Sequence, residues 1–146
     1  MSSTFLVDVA NVSMVGASVV PGTTINSDTT TDGSAVDCLD VDGPITGVFL
    51  TGNAGDASTT ITFSLVESDT SGGTYTAMTD GALATLAGSA TANDNLVKVV
   101  TSAKRTKRYV KCRVVTAGGG TPSVPCAAFV LGRKKIVGTG TGYSTT

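Results

Sequence analysis

The residues able to do chemistry in this chain are few, and their spacing favours binding over catalysis. Three cysteines stand at 38, 112 and 126, and there is no histidine. Without an imidazole no thiol has a Cys–His base. The usual general base near pH 7 and the commonest metal ligand are missing too. Cys112 and Cys126 are equally distant in sequence from Gly119. A hairpin turning on Gly118-Gly119-Gly120 would set them opposite each other, with Cβ atoms about 4.5–5.5 Å apart. A disulfide needs about 3.8 Å, so this candidate cross-strand thiol pair reads either as two buried apolar thiols or as a bridge. Asp40-Val41-Asp42-Gly43, with Asp37 nearby, resembles a fragment of a calcium loop. The rest of that pattern, including its closing Glu, is missing, and turn-forming Asp explains the residues. Glu67 and Asp69 read as a strand end and not as an acid pair. No nucleophile has a base beside it. The expectation is a protein that is not an enzyme and uses no metal or cofactor.

Charge carries more information. Between Met1 and Val97 there are eleven carboxylates and no Lys or Arg, and from Lys98 to Thr146 ten Lys and Arg and no carboxylate. The net charge of -1 conceals this separation. A protein alone in solvent mixes its signs, so segregation along the chain implies pairing in space, within one fold or between neighbouring copies. The cations cluster at Lys98, Lys104, Arg105, Lys107, Arg108, Lys111 and Arg113, and Arg133, Lys134 and Lys135 follow. Such a patch can contact phosphates, but only Tyr109 interleaves it and the whole chain is not basic, which argues against nucleic acid. An interface with acidic surfaces fits better, and a merely solvated face is the remaining reading.

The elements that must position these residues are strands. Glu occurs once and Gln not at all. Thr and Val, which suit a pleated half-buried surface, are abundant. Alternation predicts strands over Ser34–Val41, Ile45–Thr51, Thr59–Glu67, Tyr75–Met78, Leu96–Val100, Tyr109–Thr116 and Ser123–Leu131. Pro21-Gly22 and Asp42-Gly43-Pro44 read as turns, Asp28–Gly33 as a polar loop, Leu83–Leu86 as one helical turn, and Ser102–Arg108 as a basic loop. The organisation expected is an N-terminal arm or edge strand over 1–22, a β-sandwich over 23–132 and a C-terminal tail over 133–146. Seven or eight short strands with Gly-rich loops suit two antiparallel sheets, in a jelly roll or a related sandwich. The missing Trp and Cys…Trp…Cys spacing disfavour an immunoglobulin sandwich.

Only 14% of residues are charged while 40% are hydrophobic, against about 25% charged in ordinary soluble domains. Partners are therefore expected to cover much of the surface. No basic n-region opens the chain, and Asp8 interrupts its first apolar run, so no secretory signal is read. No apolar stretch approaches membrane-spanning length. An odd number of cysteines suits a reducing compartment.

Several phrases resemble those of small structural proteins of tailed bacteriophage heads. They are Leu65-Val66-Glu67-Ser68-Asp69-Thr70-Ser71-Gly72-Gly73-Thr74-Tyr75-Thr76, the stretch Asp28–Asp37, and Lys107–Thr116 followed by a Gly-rich turn and Ala128-Phe129-Val130-Leu131-Gly132. The resemblance spans roughly residues 28 to 133 and leaves out the first 22 residues and the tail, and the cysteines depart from it. It implies a capsid decoration, or cement, protein. Such a protein binds the major capsid protein in many copies, contacts its own copies, and resides in the virion after assembly in the host cytoplasm. A glycan-binding module of a head or tail fibre, using Tyr75 and Tyr143, and a minor head–tail joining protein are the alternatives.

Overall fold

The computed structural model describes residues 12–52, 55–82, 86–87, 96–118 and 120–134. Among these residues ten strands follow in order: β1 (Val12–Ile25), β2 (Thr29–Asp32), β3 (Val36–Asp37), β4 (Val41–Thr51), β5 (Thr60–Ser68), β6 (Thr76–Ala82), β7 (Leu86–Ala87), β8 (Leu96–Ala103), β9 (Tyr109–Ala117) and β10 (Val124–Lys134). No helix occurs among the described residues. One sheet has the order β1-β10-β4-β8. The other has the order β2-β9-β5-β6, with β3 also paired to β9 and β7 to β5. Every pairing is antiparallel.

Taking β2 with β3, and β6 with β7, as interrupted single strands leaves eight. The first then pairs with the eighth, the second with the seventh, the third with the sixth and the fourth with the fifth. A long antiparallel hairpin rolled up in this way is the jelly roll, and its strand order separates it from the immunoglobulin sandwich.

The core follows from alternation. Ile61, Phe63 and Leu65 of β5, and Val110, Cys112 and Val114 of β9, are buried from one sheet. Ile45 and Phe49 of β4, and Val124, Cys126, Ala128 and Val130 of β10, are buried from the other. Phe49 and Phe63 meet between the sheets with ring centroids 5.1 Å apart and planes tilted by 34°, within the favoured range for aromatic pairs.

Ser18 of β1 ties the sheets together at an edge. Its hydroxyl donates to the Ser34 carbonyl (2.9 Å) and accepts the Cys112 N–H (2.9 Å). It fills the gap between β2 and β3, where Gly33 donates its own N–H to the Cys112 carbonyl. A Cβ on Gly33 would run into the Ser18 backbone, so this close approach needs glycine.

Several sequence expectations change. Asp28–Gly33 holds a strand, because Thr29, Thr30, Thr31 and Asp32 pair with Thr116, Val115, Val114 and Arg113. Of the strand expected over Ser34–Val41, Val36–Asp37 forms β3, Leu39–Asp40 turns, and Val41 opens β4. Pro21-Gly22 and Asp42-Gly43-Pro44 do not reverse the chain. They lie inside β1 and β4 at register shifts, with Gly22 and Gly43 at φ 93° and 71°. Positive φ at one residue bulges a strand as readily as it turns one. Leu86 is in β7, opposite Ile61, and not in a helical turn. Residues 12–25 form an edge strand and β10 runs on through Lys134, so the boundaries expected at 22 and 132 fall inside paired strands. Residues 1–11 and 135–146, including Lys135 and Tyr143, lie outside the described residues.

The largest correction concerns Cys112 and Cys126. β9 and β10 belong to different sheets, so residues 118–123 cross between sheets instead of closing a hairpin. Both strands bury every second residue, and that pattern is the same whether two strands lie side by side or face to face. Cys112 Sγ faces the Phe129 carbonyl at 4.0 Å, three residues along β10 from Cys126, or roughly 10 Å at strand rise. All three thiols are free and buried. Loss of solvation pushes Cys38 up to about 11 and Cys112 up to about 12, and raises Cys126.

Phe63→Ala should cost about 3–5 kcal/mol, the usual range for an aromatic core truncation, read by denaturant unfolding. A loss below 1 kcal/mol would mean that the two sheets do not meet at Phe63.

Candidate functional site

The basic segment turns out to be a crossing loop between the sheets, clamped by one acid. Glu67 ends the inward series of β5 and is 5% exposed. Its carboxylate accepts the Thr106 N–H (2.8 Å), the Lys107 N–H (3.0 Å) and the Thr106 hydroxyl. Burial pushes its pKa up. The Thr106 hydroxyl and the two amides outweigh that, leaving it below its ordinary value of 4.5. The loop from Lys104 to Arg108 therefore has a fixed shape. Sequence reading missed this residue, although the signal was present: a carboxylate at 67 continues the buried set Ile61, Phe63, Leu65.

The outer face of the six-stranded sheet carries two bidentate ion pairs. Arg113 on β9 holds Asp32 on β2 through Nε (2.5 Å) and Nη2 (2.8 Å). Arg108 holds Asp37 of β3 in the same bidentate way, at 3.0 and 2.6 Å. These bonds lower both carboxyls: the arginine hydrogen bond is the main cause in each, opposed by desolvation. Lys111 Nζ stands 4.2 Å from the centre of the Tyr75 ring, and the Arg108 guanidinium 5.0 Å from that of Tyr109. Lys107 Nζ donates to the Thr76 hydroxyl (3.1 Å). The chain's own cations thus lie over one face of each ring.

The other members of the basic patch are dispersed. Lys98 lies in β8 opposite Phe49. Arg133 and Lys134 end β10 opposite Asp42 and Val41 and are exposed. Lys104 is exposed and its backbone bridges Thr79. Arg105 donates from Nη1 to the Lys107 carbonyl (3.1 Å) and from Nη2 to the Val41 carbonyl (2.8 Å), while its buried Nε has no partner. Two open cavities of about 550 and 540 Å³ meet at Gly43-Pro44. Asp42, Thr46, Leu131 and Arg133 border the first, and Asp80, Lys104 and Arg105 the second. Asp37 accepts the Leu39 N–H (3.0 Å) at the Leu39–Asp40 turn, and Asp42 accepts the Gly43 N–H (3.2 Å) at the β4 register shift. No group of three metal-ligating side chains occurs among the described residues.

The outer face of the four-stranded sheet differs in kind. Phe129 of β10 lies between Ala17 of β1 and Val48 of β4, and Ala127 lies beside Leu50. β8 brings Val99 and Val97 to the next register positions. No charged residue occupies these rows. Leu50 is 38% exposed.

No protein-family model and no curated protein matches the chain. Among the solved structures that share its fold are the following two. The PBSX exported protein XepA matches with a TM-score of 0.54 and 12% identity over 92% of this chain and 41% of that one. A chain from the structure of infectious bursal disease virus, Gx strain, matches with a TM-score of 0.53 and 14% identity over 84% of this chain and 32% of that one. This chain therefore spans less than half the length of either protein.

The Glu67 clamp has a pH signature. Its pKa is lowered in the fold, so its contribution is complete above the ordinary value of 4.5 and is lost as pH falls through the folded value. Melting temperature should decline as pH falls below about 4.5. Glu67→Gln should lose about 1–3 kcal/mol at pH 7 and show a shallower acid decline. An unchanged decline would show that Glu67 does not hold the loop.

Proposed function

We propose that this protein is a structural component of a virus particle, a decoration or cement protein bound in many copies to the outer shell of a tailed phage. It acts by surface contact and performs no catalysis. The observation that carries the reading is the contrast between the two outer faces of the jelly roll. One is polar, with Arg108 and Arg113 already paired to the chain's own acids. The other offers uncharged rows around Phe129, Val48 and Leu50. Monomers seldom expose large apolar patches without a partner. The jelly roll recurs in viral capsid and lectin domains, and the two structures of similar fold support the viral side of that choice through one protein described as PBSX exported and one from a virus. With Lys111 placed on Tyr75, the lectin side has less to offer.

On this reading the four-stranded sheet faces the major capsid protein or a neighbouring copy. The polar sheet faces solvent, where its ion pairs need no further partner. Repeated weak contacts then add up over a shell.

Particles lacking the protein, mixed with the purified chain and imaged by electron cryomicroscopy, should show density at many symmetry-related shell positions. Leu50→Asp should shift stability by no more than about 0.5 kcal/mol, as surface substitutions usually do, and should abolish decoration. Density confined to the head–tail vertex, or full decoration by the variant, would overturn the reading.

A further inference from the structure

We infer that the two cavities meeting at Gly43-Pro44 form one binding site for an acidic peptide segment of a protein partner. The inference relies on the docking reading only for the partner's biological setting, since the site can be tested without a particle.

Three cations border this saddle, and none forms an ion pair within 4.0 Å among the described residues, although the charge of Arg105 reaches Asp37 at longer range. Arg105 is the informative one. Its guanidinium is locked in place by the carbonyls of Val41 and Lys107. Carbonyls satisfy donors but do not neutralise charge, and its Nε is buried and unpartnered. The ion pairs within 4.0 Å among the described residues are Arg108–Asp37 and Arg113–Asp32, and neither involves Arg105. Lys104 beside it is exposed. Arg133 borders the adjoining cavity across Gly43-Pro44.

Asp80 and Asp42 border the same saddle, and neither forms an ion pair with these cations. Asp42 takes the N–H of Gly43. Asp80 is held with its backbone in the left-handed region, φ 58°, where a register shift interrupts the β5–β6 ladder. Three cations against these two acids give the border of the saddle a net charge of +1.

The shape argues for a peptide over a free anion. The first cavity is bordered by Leu131 and Thr46, which lie opposite each other in the four-stranded sheet. They continue the uncharged rows of its outer face. A partner covering that face would run off its edge over Leu131 and Pro44 and reach Lys104 and Arg105. An extended segment carrying apolar residues followed by carboxylates matches that order. The carboxylates would meet donors and positive charge whose geometry is already set, which lowers the ordering cost of binding.

The test is a nuclear magnetic resonance titration of the ¹⁵N-labelled full chain with a blocked Leu-Leu-Gly-Asp-Asp peptide, its Leu-Leu-Gly-Asn-Asn counterpart and inorganic phosphate. The acidic peptide should move the amide signals of Gly43, Asp80, Lys104 and Arg105 in a saturable way, and the amidated counterpart should not. Lys104→Glu and Arg133→Glu should each weaken binding about two- to fivefold, the effect of an exposed charge contact, with unchanged circular dichroism spectra. Equal response to both peptides, shifts confined to the Arg113 face, or no response would overturn the site. Phosphate producing the same saturable shifts would overturn the peptide assignment. Failure here with decoration intact refutes the site alone, whereas saturable binding with no decoration refutes the docking reading alone.

Discussion

The structure depends on one topological constraint: each strand of the first half of the chain lies against a strand of the second half. β1 meets β10, β2 and β3 meet β9, and β4 meets β8. Only the fourth pair, β5 with β6 and β7, is local. This explains the charge separation. A chain folded back on itself at β5 and β6 brings an acidic first half beside a basic second half. Asp32 reaches Arg113 and Asp37 reaches Arg108 across neighbouring strands. Opposite charges on paired strands add modest stability, about 0.2–1 kcal/mol per pair. They also penalise wrong partners more than they reward right ones. A slipped or exchanged strand would set like charges together, so the separation helps specify register in a fold built from long-range pairings.

The same topology makes the two outer faces unlike. β9 sits inside the six-stranded sheet and carries its charges outward, where β2 and β3 supply acids. β10 sits inside the four-stranded sheet and shows Ala127, Phe129 and Leu131 at the corresponding positions. The strands that follow one another in sequence are thus assigned to opposite sheets, and their outward residues differ accordingly. Glu67 links the faces. It holds the loop that leaves β8 in one sheet and enters β9 in the other, and that fixes Lys104 and Arg105 at the end of the sandwich. A buried carboxylate receiving two amides and a hydroxyl costs desolvation and recovers it in directed hydrogen bonds. The reward is a rigid loop and not added core.

Much was legible in the sequence by itself. The all-β class followed from composition. The buried sets Ile61, Phe63, Leu65 and Val110, Cys112, Val114 followed from alternation, because side chains on a strand repeat every two residues whatever its neighbours. The sandwich followed from strand number and spacing. The charge separation implied pairing in space, and Arg108 and Arg113 do meet acids on neighbouring strands. What alternation cannot express is which strand lies beside which. Cys112 and Cys126 show the limit: equal spacing about Gly119 suits a hairpin or a crossing, and only the competing claim of β4 and β5 on the adjacent positions decided for the crossing. Bulges at Gly22 and Gly43 were read as turns for a related reason, since a positive φ marks a local bend without saying whether pairing resumes beyond it. The meeting of Arg105 and Asp80 around Gly43-Pro44 draws on three separate elements: the loop after β8, β6 and β4. Their meeting is a property of the rolled hairpin, in which the ends of distant strands converge, and no pattern within a short stretch of sequence records it.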